Sequence, residues 1–163
     1  MAIEIRRAEA RDVPGICEIY NSAIRSLTAT FDTEEKSLED RAAWLAAHTG
    51  PHPVFVALDG DTVAGWASLS PYISRIAAAR TVESSVYLHP EYCGRGLGTQ
   101  LMATLMPSAR DLGHHAVIAL ITDGNEASVR LHRNFGYVEI GTLREVGWKF
   151  ERWLDLLIME AVL

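Results

Sequence analysis

Two titratable side chains in this sequence stand where a folded chain seldom keeps them idle. Glu83 lies in the run Thr81 to Leu88, whose alternation reads as a strand with Glu83, Ser85 and Tyr87 on one face and Val82, Val86 and Leu88 on the other. A carboxylate on an otherwise buried strand is costly unless it is paired or put to use. A salt bridge to Arg80 or Arg75 is the plain alternative. His132 shares a helical stripe with Ser128, Leu131 and Phe135, while Glu126, Arg130, Arg133 and Asn134 face outward. It therefore points towards the sheet, either as a satisfied core residue or as an imidazole suited to acid–base work. A third feature is the loop Tyr92-Cys93-Gly94-Arg95-Gly96-Leu97-Gly98-Thr99, which runs from a strand into a helix. Its glycines allow positive φ and close approach of a ligand, and its N–H groups with the helix N-terminus suit a phosphate or pyrophosphate. A tight turn that simply needs glycine is the alternative.

The loop is not a GxxxxGK[ST] P-loop. It reads GxGxG rather than GxGxxG and does not open an N-terminal βαβ unit, which argues against a dinucleotide site.

The elements that must position these residues can be followed along the chain. Ile3 and Ile5 alternate with charges in a first strand, residues 2–8. A helix follows, capped by Asp12, with Pro14 in its first turn and Val13, Ile16, Tyr20, Ala23 and Leu27 as its stripe. Ser37 and Asp40 resemble a capping box for a second helix carrying Leu38, Trp44 and Leu45. Val54 to Leu58 and Thr62 to Ser70 form a hairpin about Asp59-Gly60-Asp61. The strand Thr81 to Leu88 follows a loop containing Tyr72, Arg75 and Arg80. The glycine loop leads into a helix with Leu97, Leu101, Met102, Leu105 and Ala109 on one side, which Pro107 should kink or end. Ala116 to Ile121, bare of charge, reads as a strand buried on both faces. Asn125 to Phe135 is a short helix stopped by Gly136, and Tyr137 to Leu143 and Trp153 to Val162 are the last strands. The order β-α-α-β-β-β-α-β-α-β-β implies a mixed sheet with helices on its faces, an α/β or α+β fold.

A chain of 163 residues has the size of one domain, taken as residues 1–163. No apolar run exceeds six residues, which excludes a transmembrane helix, and the N-terminus lacks the apolar stretch of a signal peptide. The cytoplasm is the expected compartment. A formal charge of −6 opposes unspecific binding to nucleic acid or an anionic membrane. Cys17 and Cys93 have no paired spacing and read as free thiols. His48/His52 and His114/His115 lack an accompanying cysteine pair or HExxH motif, so they read as surface histidines and no metal is expected.

With these elements in place, Val86-Tyr87-Leu88-His89-Pro90 followed by Gly94-Arg95-Gly96-Leu97-Gly98 resembles the acetyl-CoA signature of the GNAT N-acetyltransferases, Arg/Gln-x-x-Gly-x-Gly/Ala at a strand-to-helix turn. Gly96 and Gly98 match both glycines. Cys93 stands where that family has Arg or Gln, a departure expected to weaken one pyrophosphate contact. The block Asn125 to Tyr137 resembles the family's Asn-x-x-Ala/Ser-x-x-Leu-x-x-x-x-Gly-Phe/Tyr helix. Within the superfamily, Thr30 to Glu34, Thr81 to Tyr87 and the pieces Val146-Gly147, Lys149-Phe150 and Arg152-Trp153 with Asp155 are most similar to the phosphinothricin and methionine sulfoximine acetyltransferases.

That resemblance implies a mostly antiparallel sheet with a splayed strand pair where acetyl-CoA, the co-substrate, enters. It implies direct attack of a neutral amine on the thioester, with no metal. Glu83 would be the base, acting through a water. Main-chain groups of Val86, Tyr87 and Leu88 would pair with the pantetheine arm and supply the oxyanion donor. Gly94, Arg95, Gly96, Leu97, Gly98 and Thr99 would hold the pyrophosphate, with Asn125 and Ser128 also on the cofactor and Asn125 capping its helix. His132 stands where the phosphinothricin group has histidine and many relatives have a tyrosine that protonates the departing thiolate. An amino-acid substrate needs a guanidinium for its carboxylate, for which Arg75 and Arg80 are candidates. Phe31 and Tyr72 would be walls, with Ser84 and Ser85 beside Glu83. Lys149 and Trp153 are candidates to close the pocket, with Trp153 as a core residue the alternative. The loop Ser70 to Arg80 matches least well and should govern substrate choice. A homodimer is expected from the relatives alone. The competing functions are acetylation of a protein N-terminus, lysine or polyamine, an acyl-CoA-binding regulatory module without turnover, and a nucleotide-binding protein.

Overall fold

The computed structural model describes residues 3–163. Strand β1 (Glu4–Arg7) is followed by helices α1 (Val13–Ser26) and α2 (Leu38–Ala47). Next come β2 (Val54–Asp59), β3 (Thr62–Pro71), β4 (Thr81–Leu88) and helix α3 (Leu97–Asp111). The chain continues through β5 (Ala116–Thr122), α4 (Glu126–Arg133), β6 (Val138–Lys149) and β7 (Arg152–Val162). The strands form a seven-stranded sheet in the order β1-β2-β3-β4-β5-β7-β6. All its pairings are antiparallel except β4 with β5.

The apolar stripes decide which helix covers which face. Leu101, Met102 and Leu105 of α3, with Val129 of α4, pack against Leu69, Val82, Val117 and Met159. On the opposite face Ile16 and Ile19 of α1 meet Val54, Val56 and Trp66, and Trp44 and Leu45 of α2 close over them. The result is the mixed sheet with helices on both faces that the element order implied, and it is mostly antiparallel, as the resemblance implied. Pro107 sits inside α3 without ending it. An interior proline costs about 3 kcal/mol. Continuing the helix keeps Met106 and Ala109 buried, and a large apolar side chain is worth roughly 1.5–3 kcal/mol when fully buried.

Several local expectations are corrected. Of the first predicted strand, Glu4–Arg7 is paired, and Ala2 lies outside the described residues. Asp12 does not cap α1 with its side chain; its carboxylate accepts from Arg6 at 2.8 and 2.9 Å and from the Glu9 N–H at 2.7 Å. Leu27 falls outside α1, extended and exposed. Ser37, in contrast, caps α2 by accepting from the Asp40 N–H. β6 runs past Leu143 to Lys149 through register shifts at Glu139/Gly141 and Leu143/Gly147. These interrupt the alternation that marks a strand in sequence. At the second shift Glu145 takes φ 54° and its N–H bonds the Asp155 carboxylate at 2.8 Å.

The sheet opens in its middle. β4 and β5 pair only from Thr81/Ala116 to Glu83/Ile118. β4 nevertheless stays paired to β3 as far as Leu88, and β5 to β7 as far as Thr122. From Ser84 and Ala119 onward the two central strands diverge, and their facing edges carry main-chain groups outside any ladder.

Candidate active site

The wedge between β4 and β5 is occupied by a cavity of about 300 Å³ with walls on both faces of the sheet. Tyr20, Arg41 and Trp44 line it from α1 and α2, whereas Asn125, Ser128 and His132 line it from the α4 side. Register arranges the β3–β4 wall: Trp66 lies opposite Tyr87, Ser68 opposite Ser85 and Ser70 opposite Glu83. Since alternate residues share a face, these three pairs form one surface, aromatic at one end and polar at the other. All six line the cavity.

Burial raises the Glu83 carboxyl above the ordinary carboxylate range, because water is withdrawn from its charged form. Among the described residues no cation pairs with it. The salt bridge offered as its alternative does not form, because Arg80 donates from Nε to the Gly113 carbonyl at 3.0 Å. Arg75 is exposed and Tyr72 half-buried in the turn before β4. None of Tyr72, Arg75 and Arg80 lines the cavity, so the structure does not bring them to Glu83 as expected.

His132 is almost wholly buried, 4% exposed, with Tyr137 edge-on at 4.9 Å. Its Nδ1 lies 2.8 Å from the Ser128 carbonyl oxygen. A carbonyl only accepts, so Nδ1 carries the proton and Nε2 is the bare nitrogen. Nε2 is buried with no partner among the described residues. Burial also lowers the His132 pKa, keeping the ring neutral. Asn125 caps α4 by accepting from the Ser128 N–H at 3.2 Å. Ser84 points away from Glu83, its hydroxyl 2.9 Å from that of Tyr137. The Tyr87 hydroxyl donates to the Ala29 carbonyl at 3.1 Å, which leaves its main chain to face the wedge.

The glycine loop continues from the β4 wall. Gly94 and Gly96 take φ of 75° and 77°, a region that disfavours side chains. Gly96 immediately precedes α3, whose first turn has no side-chain cap. The amides of Leu97, Gly98 and Thr99 are therefore donors without an intrahelical acceptor. Leu88 and the residues Gly94 to Thr99 do not line the cavity itself. An extended ligand lying along β4 would meet both, which fits the two ends of acetyl-CoA, its thioester arm and its pyrophosphate.

Two features of the site were not anticipated. Arg41 is buried against the rings of Tyr20 and Trp44, at 4.9 and 5.0 Å, with an ion pair to Asp40 at 2.8 Å. It is the guanidinium that lines the cavity. It interrupts the α2 stripe three residues after Leu38 and three before Trp44, the same signal that marked His132. The second feature is the strap of residues 27–31. The carbonyls of Leu27 and Thr30 accept from Lys149 Nζ at 2.7 and 3.0 Å, and that of Thr28 accepts from Thr122 Oγ1 at 2.6 Å. With Ala29 held by Tyr87, four consecutive carbonyls are tied to three strands. Phe31, a cavity wall as expected, lies over Gly147, where a Cβ would come within 2.6 Å of its ring. Lys149 thus acts from beneath the strap rather than at the mouth. Trp153 is neither core nor cavity wall: it is 59% exposed and packs on Trp148.

Comparison with known proteins agrees with this geometry. Residues 16–137 match the acetyltransferase (GNAT) family. An L-amino acid N-acyltransferase of Escherichia coli is 39% identical over 99% of this chain and 94% of its own length. An L-methionine sulfoximine/L-methionine sulfone acetyltransferase of Pseudomonas aeruginosa is 40% identical over 98% of this chain and 94% of its own. The crystal structure of a phosphinothricin acetyltransferase from Sinorhizobium meliloti in complex with acetyl-CoA matches with a TM-score of 0.96 at 34% identity, covering 100% of this chain and 89% of that one. A wedge between parallel strands, an uncapped glycine turn after it and full-length similarity to such enzymes converge: the chain belongs to the GNAT family of acetyl-CoA-dependent N-acetyltransferases.

Proposed function

We propose that this enzyme acetylates the α-amine of a small amino acid or analogue of the phosphinothricin or methionine sulfoximine kind. The observation that carries the reading is one cavity of about 300 Å³ in which Glu83, a half-buried carboxylate with no cation beside it among the described residues, shares walls with the buried guanidinium of Arg41. An amino acid presents one group to each. A polyamine would gain nothing from Arg41, and a protein terminus would require an open groove.

Glu83 removes a proton from the substrate ammonium, and the freed amine attacks the thioester carbonyl. Main-chain N–H groups on the open edge of Val86 to Leu88 receive the pantetheine arm and the developing oxyanion. The turn from Gly94 to Thr99 holds the pyrophosphate, with Asn125 and Ser128 beside the arm. His132, neutral and bare at Nε2, carries the second amine proton to the departing thiolate. Arg41 binds the substrate carboxylate between the walls formed by Phe31 and Trp44, with Ser85 beside Glu83.

We also read residues 1–163 as one catalytic domain working in the cytoplasm, where Cys17 and the exposed Cys93 stay reduced. A homodimer is supported by Val138, Ile140, Leu143, Val146, Trp148 and Trp153, all between 47% and 60% exposed on the β6–β7 hairpin.

The test is thiol release from acetyl-CoA with phosphinothricin, methionine sulfoximine, methionine sulfone, the common amino acids, spermidine and a short peptide. Turnover on an amino-acid analogue, lost in Glu83→Gln, is the expected result. Turnover on the peptide or polyamine alone would overturn the substrate assignment and leave the family intact.

A further inference from the structure

The polar end of the β3–β4 wall does not stop at Glu83. Ser70, its cross-strand neighbour, places Oγ 2.9 Å from Nε2 of His48 at the end of α2. The other ring nitrogen, Nδ1, is 2.7 Å from the Trp44 carbonyl oxygen. That oxygen can only accept, so Nδ1 carries the proton and Nε2 takes the Ser70 hydroxyl hydrogen. The oxygen of Ser70 keeps its lone pairs free, on the cavity-lining face of the sheet that it shares with Glu83. His48, half-buried, also lines a second groove on the outside of the molecule, with Arg7, Val13, Leu38, Glu39 and Leu45. One imidazole thus separates the inner cavity from the outer groove, hydrogen-bonded to the wall of the first and open to the second.

This arrangement rests on the amino-acid acetyltransferase reading. On it, we propose that His48, through the Ser70 hydroxyl, draws off the proton that Glu83 takes from the substrate ammonium and releases it to the outer groove. The balance is complete. The ammonium loses two protons on becoming an amide: one follows His132 to sulfur, and the other moves to the Glu83 carboxylate. The protonated carboxyl gives its proton to Ser70 Oγ as the hydroxyl proton of Ser70 passes to His48 Nε2. The imidazolium loses its Nδ1 proton to water in the outer groove, and exchange with water then moves the remaining proton from Nε2 back to Nδ1. Glu83 returns ionised for the next cycle. Burial shifts the two ends of the relay towards each other, Glu83 upward and His48 downward, which lowers the cost of the transfer. The groups facing His48 are Arg41 from α2, which disfavours its charge, and His52 from the following turn, whose own pKa is lowered in part by His48. Arg7 and Glu39 lie in the outer groove, and Glu83 lies across Ser70. His48 touches no substrate; it is a positioning residue acting through Ser70. The expectation that this histidine is a surface residue is corrected: it is half-buried, with both ring nitrogens hydrogen-bonded.

The experiment compares the parent with His48→Gln, Ser70→Ala, the double variant and His48→Ala across the imidazole titration range, on the best amino-acid substrate. His48→Gln is expected to lower kcat by about tenfold, within the reach of a proton-transfer group, with KM little changed and the acid limb of kcat shallower by one proton. Ser70→Ala should match it, and the double variant should be no worse than either single one. Free imidazole should restore part of the rate to His48→Ala through the outer groove and none to Ser70→Ala. An unchanged pH profile in His48→Gln, or a loss in His48→Ala that imidazole does not relieve, would overturn the relay while leaving the enzyme reading in place. If the parent acetylates no amino acid, both readings fall together.

Discussion

The ammonium of Lys149 lies 2.7 Å from the carbonyl oxygen of Leu27, 122 residues earlier in the chain. It also reaches Thr30, so one buried cation from β6 closes both ends of the strap that walls the cavity. Lys149→Met leaves two carbonyls without a donor, each costing about 1–3 kcal/mol if it stays buried. The strap is expected to open rather than pay that cost. Hydrogen exchange at residues 27–31 should quicken and KM for the amine should rise several-fold, whereas unchanged exchange would show the strap to be held by Thr122 and Tyr87 alone.

Replacing Glu83 by Gln should reduce kcat by about a hundredfold or more, the usual scale for a general base. The parent's activity should fail on the acid side as pH drops through the raised Glu83 pKa, that is, above the ordinary carboxylate range. Stability runs the other way. A carboxyl whose folded pKa is raised retains its proton longer folded than unfolded, so the fold loses stability as pH rises from the unfolded pKa through the folded one. At neutral pH Glu83→Gln should therefore melt no lower than the parent, which a thermal scan of both proteins decides.

Under the proposed function Arg41 separates carboxylated from plain amines. Arg41→Gln is expected to raise KM for an amino acid by about tenfold or more, the scale of a lost charge-assisted pair. It should leave the decarboxylated amine of the same side chain nearly unaffected. An equal loss on both would mean that Arg41 only props Tyr20 and Trp44.

The tautomer of His132 can be read from the nitrogen chemical shifts of its ring. The expected pattern is protonated Nδ1 and bare Nε2, persisting below the ordinary histidine pKa because burial depresses titration. His132→Phe should lower kcat more than KM. A charged imidazolium at neutral pH would contradict the proton-carrier role assigned to it.

Association in solution should depend on the β6–β7 hairpin. Trp153→Lys places a charge among its exposed apolar side chains and should shift sedimentation from dimer to monomer with little change in melting temperature. Sedimentation of the parent as a monomer would remove the dimer.

Glu83 and His132 stand out in the sequence because each is a titratable group on an element that otherwise reads as buried. Arg41 interrupts the α2 stripe, yet arginines invite reading as solvated, and the loop before β4 carries Arg75 and Arg80, the arginines nearest Glu83 along the chain. Arg80 at the head of a strand looks alike whether it reaches a substrate or the Gly113 carbonyl. The strap was out of reach for another reason. Its donors Lys149, Thr122 and Tyr87 come from three strands, and contacts at such separations leave no periodic trace. β6 was cut short at Leu143 because its bulges shift the side-chain parity on which a strand is recognised.

A cavity with walls on both faces of the sheet bears on the order of events. Under the proposed function cofactor and amine approach from opposite faces, so neither blocks the other and neither must leave before its counterpart arrives. Steady-state kinetics should accordingly give intersecting lines, and a non-reactive amine should form a ternary complex with acetyl-CoA. The spread between β4 and β5 thus serves as a meeting point, where two reactants touch through a gap in a wall that keeps the rest of each apart.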